Sequence, residues 1–360
     1  MLVGQGAVRI TGARFPGRYI QGAGLIGRLG VEAAPLGQSA FCLLDRGLAD
    51  RLEPMVRDSA GGELALTSRV HGGECSEAEI DAGVLAADGA GIVIGVGGGK
   101  CLDTAKAVAH RIGAASVIVP TIAASDAPCS ALAVVYREDG TVAYDMFLPR
   151  NPDLVLVDTS IIAQAPARFL AAGIGDALAT FYEAESSRKA DAPNCWNTHG
   201  AAIAFEIARL CRDVIFEHGA AALADCDHDR ASPALEKVVE ANILLSGIGF
   251  ESGGVAGAHA IHHGLCELDD VHHHLHGEKV AIGVLAMLLI AGDEAGFARV
   301  RAFCEAVRLP TTLAGVGISD VTDEKLARVA ERACRSGDIM DNEPMRVTPA
   351  DVAGALRQLV

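Results

Sequence analysis

Short, unbroken apolar runs set the pattern of the first half of the chain. Ala40–Asp45 (AFCLLD), Gly91–Gly98 (GIVIGVGG), Ser116–Thr121 (SVIVPT) and Leu154–Thr159 (LVLVDT) are each the length of a buried strand. They are continuous rather than alternating, which predicts strands covered on both faces, as in a parallel sheet. Helix-like segments, Gly47–Ala60 (GLADRLEPMVRDSA) and Ser76–Gly89 (SEAEIDAGVLAADG), lie between the first three runs. Strand and helix in alternation predict an α/β domain with a parallel sheet.

After about Asp158 the β-branched runs stop, and Ala, Leu and Glu take over in stretches such as SPALEKVVEANILLSGIGF (residues 232–250) and TDEKLARVAERAC (residues 322–334). Ser232–Pro233 and Thr348–Pro349 each place an N-cap residue before a proline at the first helical position. Asp351, three residues after Thr348, adds a capping-box pattern. The expectation is an α/β dinucleotide-binding domain over residues 1–162, followed by an all-helical domain over 163–360. A length of 360 residues, half of them apolar, suits two domains with sizeable cores. The most lipid-like stretch, Val280–Gly292, is too short to span a bilayer and predicts a buried helix.

Charge narrows the partners. With 46 acidic against 30 basic residues the net charge is −16, and no basic stripe interrupts it, so nucleic-acid binding is not expected. Ten cysteines are scattered without a C-x-x-C pair, which predicts reduced, mostly buried thiols. The N-terminal stretch MLVGQGAVRITGARFPGRY lacks the apolar core of a signal peptide. No membrane association is expected, and the predicted location is the cytoplasm.

Two regions carry candidate chemistry. Gly95–Lys106 (GVGGGKCLDTAK) follows an apolar strand and opens a helix. Consecutive glycines let a ligand approach the backbone, and the helix N-terminus offers unpaired N–H groups and about half a positive charge. Neither common template fits: G-x-G-x-x-G needs glycine at Lys100, and the P-loop needs glycine at Ile94 and Ser or Thr at Cys101. The pattern therefore leaves two readings, a pyrophosphate cradle and a structural turn. Asp45, closing the first apolar run, could accept hydrogen bonds from ribose hydroxyls and would repel a 2′-phosphate, favouring NAD over NADP.

The second region, His259–Lys279, holds seven of the twelve histidines. His259, His262 and His263 share one helical face by spacing. His272–His274 are consecutive and read as a polar loop, whereas His276 stands at the mouth of an apolar helix. Asp176 lies at the start of another apolar segment. A carboxylate with two imidazoles leaves coordination positions open, as in a catalytic metal site; satisfied core or surface histidines are the alternative.

Taken together, FPGRYIQGAG, GVGGGKCLDTAKAVA, PTIAASDAPCSALAVVY, NPDLVLVDT, GIGDALATFYEA, SPALEKVVEANILLSGIGFESGG, AHAIHHGL and HGEKVAIG resemble the group III, or iron-type, alcohol dehydrogenase family. The match runs over nearly the whole chain and in family order. The resemblance implies the dehydroquinate synthase-like fold of that family. It also implies one divalent metal, zinc in the first instance and iron(II) as the alternative, held by Asp176, His259 and His276, with His262 lining the site. For NAD it implies Asp45 on the adenosine side and Gly98, Gly99, Lys100, Cys101 and Leu102 at the pyrophosphate. Thr121, Ser130, Leu132 and Tyr136 are implied nearby, and Asp126 as a polyol-binding residue. Threonine is commoner in the family at Cys101.

The activity implied is NAD-dependent oxidation of glycerol and related vicinal diols to dihydroxyacetone-type products, in a homo-oligomer such as an octamer. Two rivals share the superfamily, a glycerol-1-phosphate dehydrogenase and a dehydroquinate-synthase-like lyase. Both take phosphate-bearing substrates. GIGDALATFYEA and SGGVAGAHAIHHG are nearly free of basic residues, which favours a neutral polyol.

Overall fold

The computed structural model describes residues 8–360; the first seven residues of the stretch read above for a signal peptide lie outside the described residues. Ten strands occur along the described chain: β1 (Thr11–Gly12), β2 (Tyr19–Gly22), β3 (Ser39–Leu44), β4 (Ala65–Val70), β5 (Ile92–Gly97), β6 (Ala115–Pro120), β7 (Leu132–Tyr136), β8 (Val142–Phe147), β9 (Leu154–Asp158) and β10 (His199–Gly200). Six of them form one parallel sheet in the order β2-β9-β6-β5-β3-β4.

The four apolar runs supply β9, β6, β5 and β3, the four inner strands. Inner strands are buried on both faces, so nearly every residue on them must be apolar. The edge strands need no such pattern: β2 is half-buried throughout, and β4 (ALTSRV) alternates between exposed and partly buried positions. That is why neither announces itself in the sequence. β7 and β8 pair as an antiparallel hairpin with an irregularity at Val135/Tyr136.

Alternate residues of the inner strands build one core. Cys42, Leu44, Ile94, Val96, Val117, Val119, Leu154 and Leu156 pack with Ile26, Leu29, Leu52 and Val56. Leu52, Val56 and Ala60 recur every fourth residue on the helix Ala49–Ala60, which turns that face to the sheet.

Contacts divide the chain into two compact units, each assembled from separate stretches. One comprises Phe15–Leu170 and Ala221–Gly247; the other comprises the N-terminal segment to Arg14, Ala171–Ala220 and Ile248–Val360. The first contains the six-stranded sheet and the hairpin. The second is helical apart from the two-residue parallel pair β1–β10. Both Ser/Thr–Pro starts form as the sequence suggests: Ser232 accepts from Leu235 N, and Thr348 and Asp351 make a reciprocal capping box. Val280–Gly292 contributes most of a buried helix, His276–Ile290. No helix among the described residues is long and apolar enough to cross a membrane. None of the ten cysteines is in a disulfide among the described residues, and burial pushes the Cys42, Cys75 and Cys304 thiols up to about 12.

One polar chain fixes the first turn of the helix Gly99–Ile112. Gly73 N–H donates to His71 Nδ1 at 3.2 Å, so Nε2 carries the proton and lies 3.0 Å from Thr104 Oγ1. Thr104 in turn donates to Lys100 O at 2.8 Å. His71 is buried, and burial lowers its pKa below the usual value near 6.5. A folded-state pKa below the unfolded one means that the unfolded chain takes up the proton first on acidification. The contribution of His71 is therefore complete above pH ~6.5 and falls away as the pH drops below it. Urea midpoints measured from pH 8 to pH 5 should decline, and His71→Gln should flatten the decline while costing about 1 kcal/mol at pH 8. An unchanged slope in the variant would remove His71 as its source.

Candidate metal centre and dinucleotide turn

Three helices meet at a cluster of acid and imidazole groups. Asp176 lies in the middle of the helix Ala167–Lys189, nine residues after its start rather than at its beginning. His259 sits in the first turn of Gly257–Leu265, and His276 is the first residue of His276–Ile290.

Small residues bring these helices within reach. A Cβ on Gly277 would fall 1.7 Å from Ala172 O and 3.0 Å from Asp176 N, so backbone touches backbone where His276 and Asp176 meet. Gly283 does the same against Ala258, whose carbonyl oxygen lies 2.2 Å from the Cβ position. Larger side chains at these two points would hold the helices apart.

His276 Nε2 lies 3.0 Å from Asp176 Oδ1, and His259 Nε2 lies 3.5 Å from the same oxygen. One ligand atom from each residue falls within 4.8 Å of the others. Asp176 is 1 % exposed. Its burial opposes ionisation, yet the His276 and His259 imidazoles beside it hold the carboxyl well below the usual carboxylate range.

Glu183 organises His259. Its Oε2 pairs with His259 Nδ1 at 2.5 Å, and its Oε1 accepts the backbone N–H groups of Ala256 (2.9 Å) and His259 (2.8 Å). With Nδ1 donating to Glu183, Nε2 is the nitrogen that faces Asp176, the one that could bind a cation in exchange for its proton. Burial alone would lower the pKa of His259, but Glu183 and Asp176 outweigh it and raise the value well above the ordinary one. Glu183 escaped the sequence reading, although its seven-residue spacing from Asp176 puts both on one helical face.

His262 lines the cluster. Its Nε2 lies 3.1 Å from His276 Nδ1 and 3.4 Å from Cys266 Sγ, while its buried Nδ1 has no hydrogen-bond partner. Burial, followed by the neighbouring His276, lowers its pKa well below the usual value and keeps the ring neutral. His276 therefore faces His262 through Nδ1 and Asp176 through Nε2. His272 and His273 are exposed, and His274 Nδ1 lies 3.3 Å from Glu278 Oε2. These three take no part in the cluster.

In the other unit, the glycine turn links β5 to the helix Gly99–Ile112, with Gly98 extended at the N-cap. A Cβ on Gly97 would meet Asp45 Cβ at 2.7 Å and Cys101 Cβ at 3.0 Å, so the strand end closes tightly on its neighbours. Gly99 has open space around its Cβ position. A helix N-terminus leaves its first amides without intrahelical partners, and Asp45 Oδ1 accepts from Gly47 N at 2.9 Å.

The remaining expected cofactor residues fall into distinct settings. Cys101 turns its thiol inward to Leu43 O and Val96 O, and burial raises its pKa well above the ordinary value, leaving its backbone as the part that a ligand could meet. The Leu102 amide is bonded to Gly98 O. Lys100 pairs through Nζ with Glu74 at 2.6 Å and lies over the Tyr136 ring. Thr121 N–H donates to Gly97 O at 3.0 Å, which seats the end of β6 beside the turn.

Ser130 and Leu132 are held by a group that the sequence reading passed over. The buried Lys106 ammonium lies 2.8 Å from Asp103 Oδ1 and donates to the carbonyls of Ala127, Ser130 and Leu132. Asp103 Oδ2 also accepts from Val134 N at 3.0 Å. The same helix that opens at the glycine turn thus fixes the segment that follows Asp126. Asp126 Oδ2 accepts from Ser246 Oγ at 2.8 Å.

Comparison with known proteins agrees over most of the chain. Residues 16–159 match the family described as "Iron-containing alcohol dehydrogenase". The chain is 50 % identical to the glycerol dehydrogenase of Thermotoga maritima over 97 % of this chain and 96 % of that one. It is 43 % identical to the glycolaldehyde reductase of Halobacterium salinarum, covering 95 % of each. A crystal structure of a probable glycerol dehydrogenase from Sinorhizobium meliloti superposes with a TM-score of 0.92 at 44 % identity, covering 97 % of this chain and 98 % of that one.

Glu183→Gln keeps the size of the side chain but removes its charge. It should weaken zinc binding about 10- to 100-fold, read by competition with a chromophoric chelator. Unaltered zinc affinity in a folded variant would reduce Glu183 to a structural residue.

Proposed function

This chain belongs to the iron-containing alcohol dehydrogenase family, and we propose that it oxidises glycerol and related vicinal diols with NAD as hydride acceptor. The observation that carries the reading is the convergence of Asp176, His259 and His276. These three would hold one divalent cation, zinc in the first instance; the same donor types also suit iron(II). When bound, the cation supplies Lewis acidity that lowers the pKa of a coordinated hydroxyl. NAD supplies the hydride acceptor, and Asp45, the amides of Gly98–Cys101, Thr121, Ser130, Leu132 and Tyr136 would bind it, with Leu102 anchoring the turn.

The residues divide the remaining work. Asp176 contributes the single negative charge of the donor set from a site 1 % exposed, where water screens it little. Glu183 holds His259 in one tautomer and one orientation, so no reorganisation is needed when a cation arrives. His262, neutral and 3.1 Å from His276 Nδ1, orients the second imidazole in the same way. Asp126, fixed by Ser246, would accept a hydrogen bond from a second hydroxyl of the substrate and so prefer a diol to a simple alcohol. A carboxylate in that position disfavours a phosphate group, which speaks against the phosphate-using relatives of the fold. Ten cysteines without a disulfide among the described residues suit a reducing compartment such as the cytoplasm.

Similarity to the Halobacterium salinarum enzyme supports adding glycolaldehyde with NADH to any substrate panel, as the reverse reaction on a two-carbon hydroxyaldehyde. Protein freed of metal should show no glycerol-dependent NADH formation, and zinc should restore it. Glycerol should exceed glycerol phosphate, and NAD should exceed NADP. Asp176→Ala should lower turnover on the order of 10³-fold, the loss of several kcal/mol of charge stabilisation. Full glycerol turnover in verified metal-free protein would overturn the proposal.

A further inference from the structure

One helical rod changes pitch where it meets the loop that carries Asp126. Pro233–Glu240 and the residues from Ser246 onward are α-helical, and Ala241–Leu245 between them is a π-turn. Such a turn is rare because it widens the helix and weakens its hydrogen bonds, and it recurs at functional sites.

Residues on and just after this turn grip one loop. Asn242 Nδ2 donates to Ala123 O at 3.0 Å and to Leu170 O at 3.3 Å. Ser246 Oγ donates to Asp126 Oδ2 at 2.8 Å. Gly247 presses directly on the same loop, since a Cβ there would come 2.8 Å from Cys129 Cβ and 3.3 Å from Asp126 O. Asn242 and Ser246 are 1 % and 0 % exposed, so solvent offers neither of them an alternative partner.

A partly exposed carboxylate can ordinarily rotate between rotamers. Asp126 Oδ2 accepts a charge-assisted bond from a buried hydroxyl, which narrows the rotamers that its carboxylate can adopt. We propose that Ser246 is a positioning residue for diol recognition. It aims the Asp126 carboxylate at a substrate hydroxyl, and Asn242 anchors the loop from which Asp126 projects. The inference rests on the reading of Asp126 as the polyol-binding residue.

A double-mutant cycle tests it on the zinc-loaded enzyme. Ser246→Ala should raise the KM for glycerol about tenfold, the scale of one charge-assisted hydrogen bond, while the KM for propan-2-ol moves less than about threefold. In an Asp126→Ala background the same substitution should add nothing, because its effect passes through the carboxylate. Ser246→Cys, close in volume and a weak donor, should shift glycerol KM in the same direction if the alanine variant folds poorly. Additive effects, or equal losses for glycerol and propan-2-ol, would overturn the role of Ser246 alone. A glycerol KM untouched by Asp126→Ala would overturn the assignment of Asp126 and this inference with it.

Discussion

A carboxylate that is 1 % exposed cannot remain ionised without compensation, and the arrangement around Asp176 follows from that constraint. Two imidazoles lie within 3.5 Å of one of its oxygens, each tethered on its far side: His259 to Glu183, and His276 to His262. Gly277 and Gly283 let three helices approach closely enough for those side chains to meet. A carboxylate so buried and so flanked by oriented imidazoles is expensive to build for stability alone, because apolar packing would serve as well. A cation explains the combination of burial, acid and imidazole more economically than a structural network does.

The unit that holds the six-stranded sheet shows the same logic of fixed polar groups. His71 and Thr104 lock the first turn of the helix after the glycines, and the buried Lys106–Asp103 pair locks the segment from Ala127 to Val134. The π-turn at Ala241–Leu245 brings Asn242 and Ser246 to the loop before it. Residues proposed to touch cofactor or substrate are thus held by buried neighbours on regular elements, which is how a site keeps its geometry between turnovers.

Much of this was legible in the sequence, for identifiable reasons. The four inner strands are continuous apolar runs because both of their faces are covered. β2, β4 and the β7–β8 hairpin are not, and their mixed patterns gave no signal. Serine and threonine caps with a following proline marked helix starts at Ser232 and Thr348, where local chemistry decides the outcome. Asp176, His259 and His276 were picked out by resemblance and spacing, and the fold brings them together. The supporting groups were not read, because Glu183, Lys106, Asn242 and Ser246 hold partners 21 to 120 residues away. A π-turn has no local sequence signature, and units assembled from separate stretches cannot be seen in a linear pattern.

The most direct measurement is an anomalous difference map at the zinc edge from crystals of zinc-loaded protein. A single strong peak should lie about 2.0–2.2 Å from Asp176 Oδ1, His259 Nε2 and His276 Nε2. No peak at that position, with the three side chains turned away from one another, would contradict the assignment of this cluster as the metal centre.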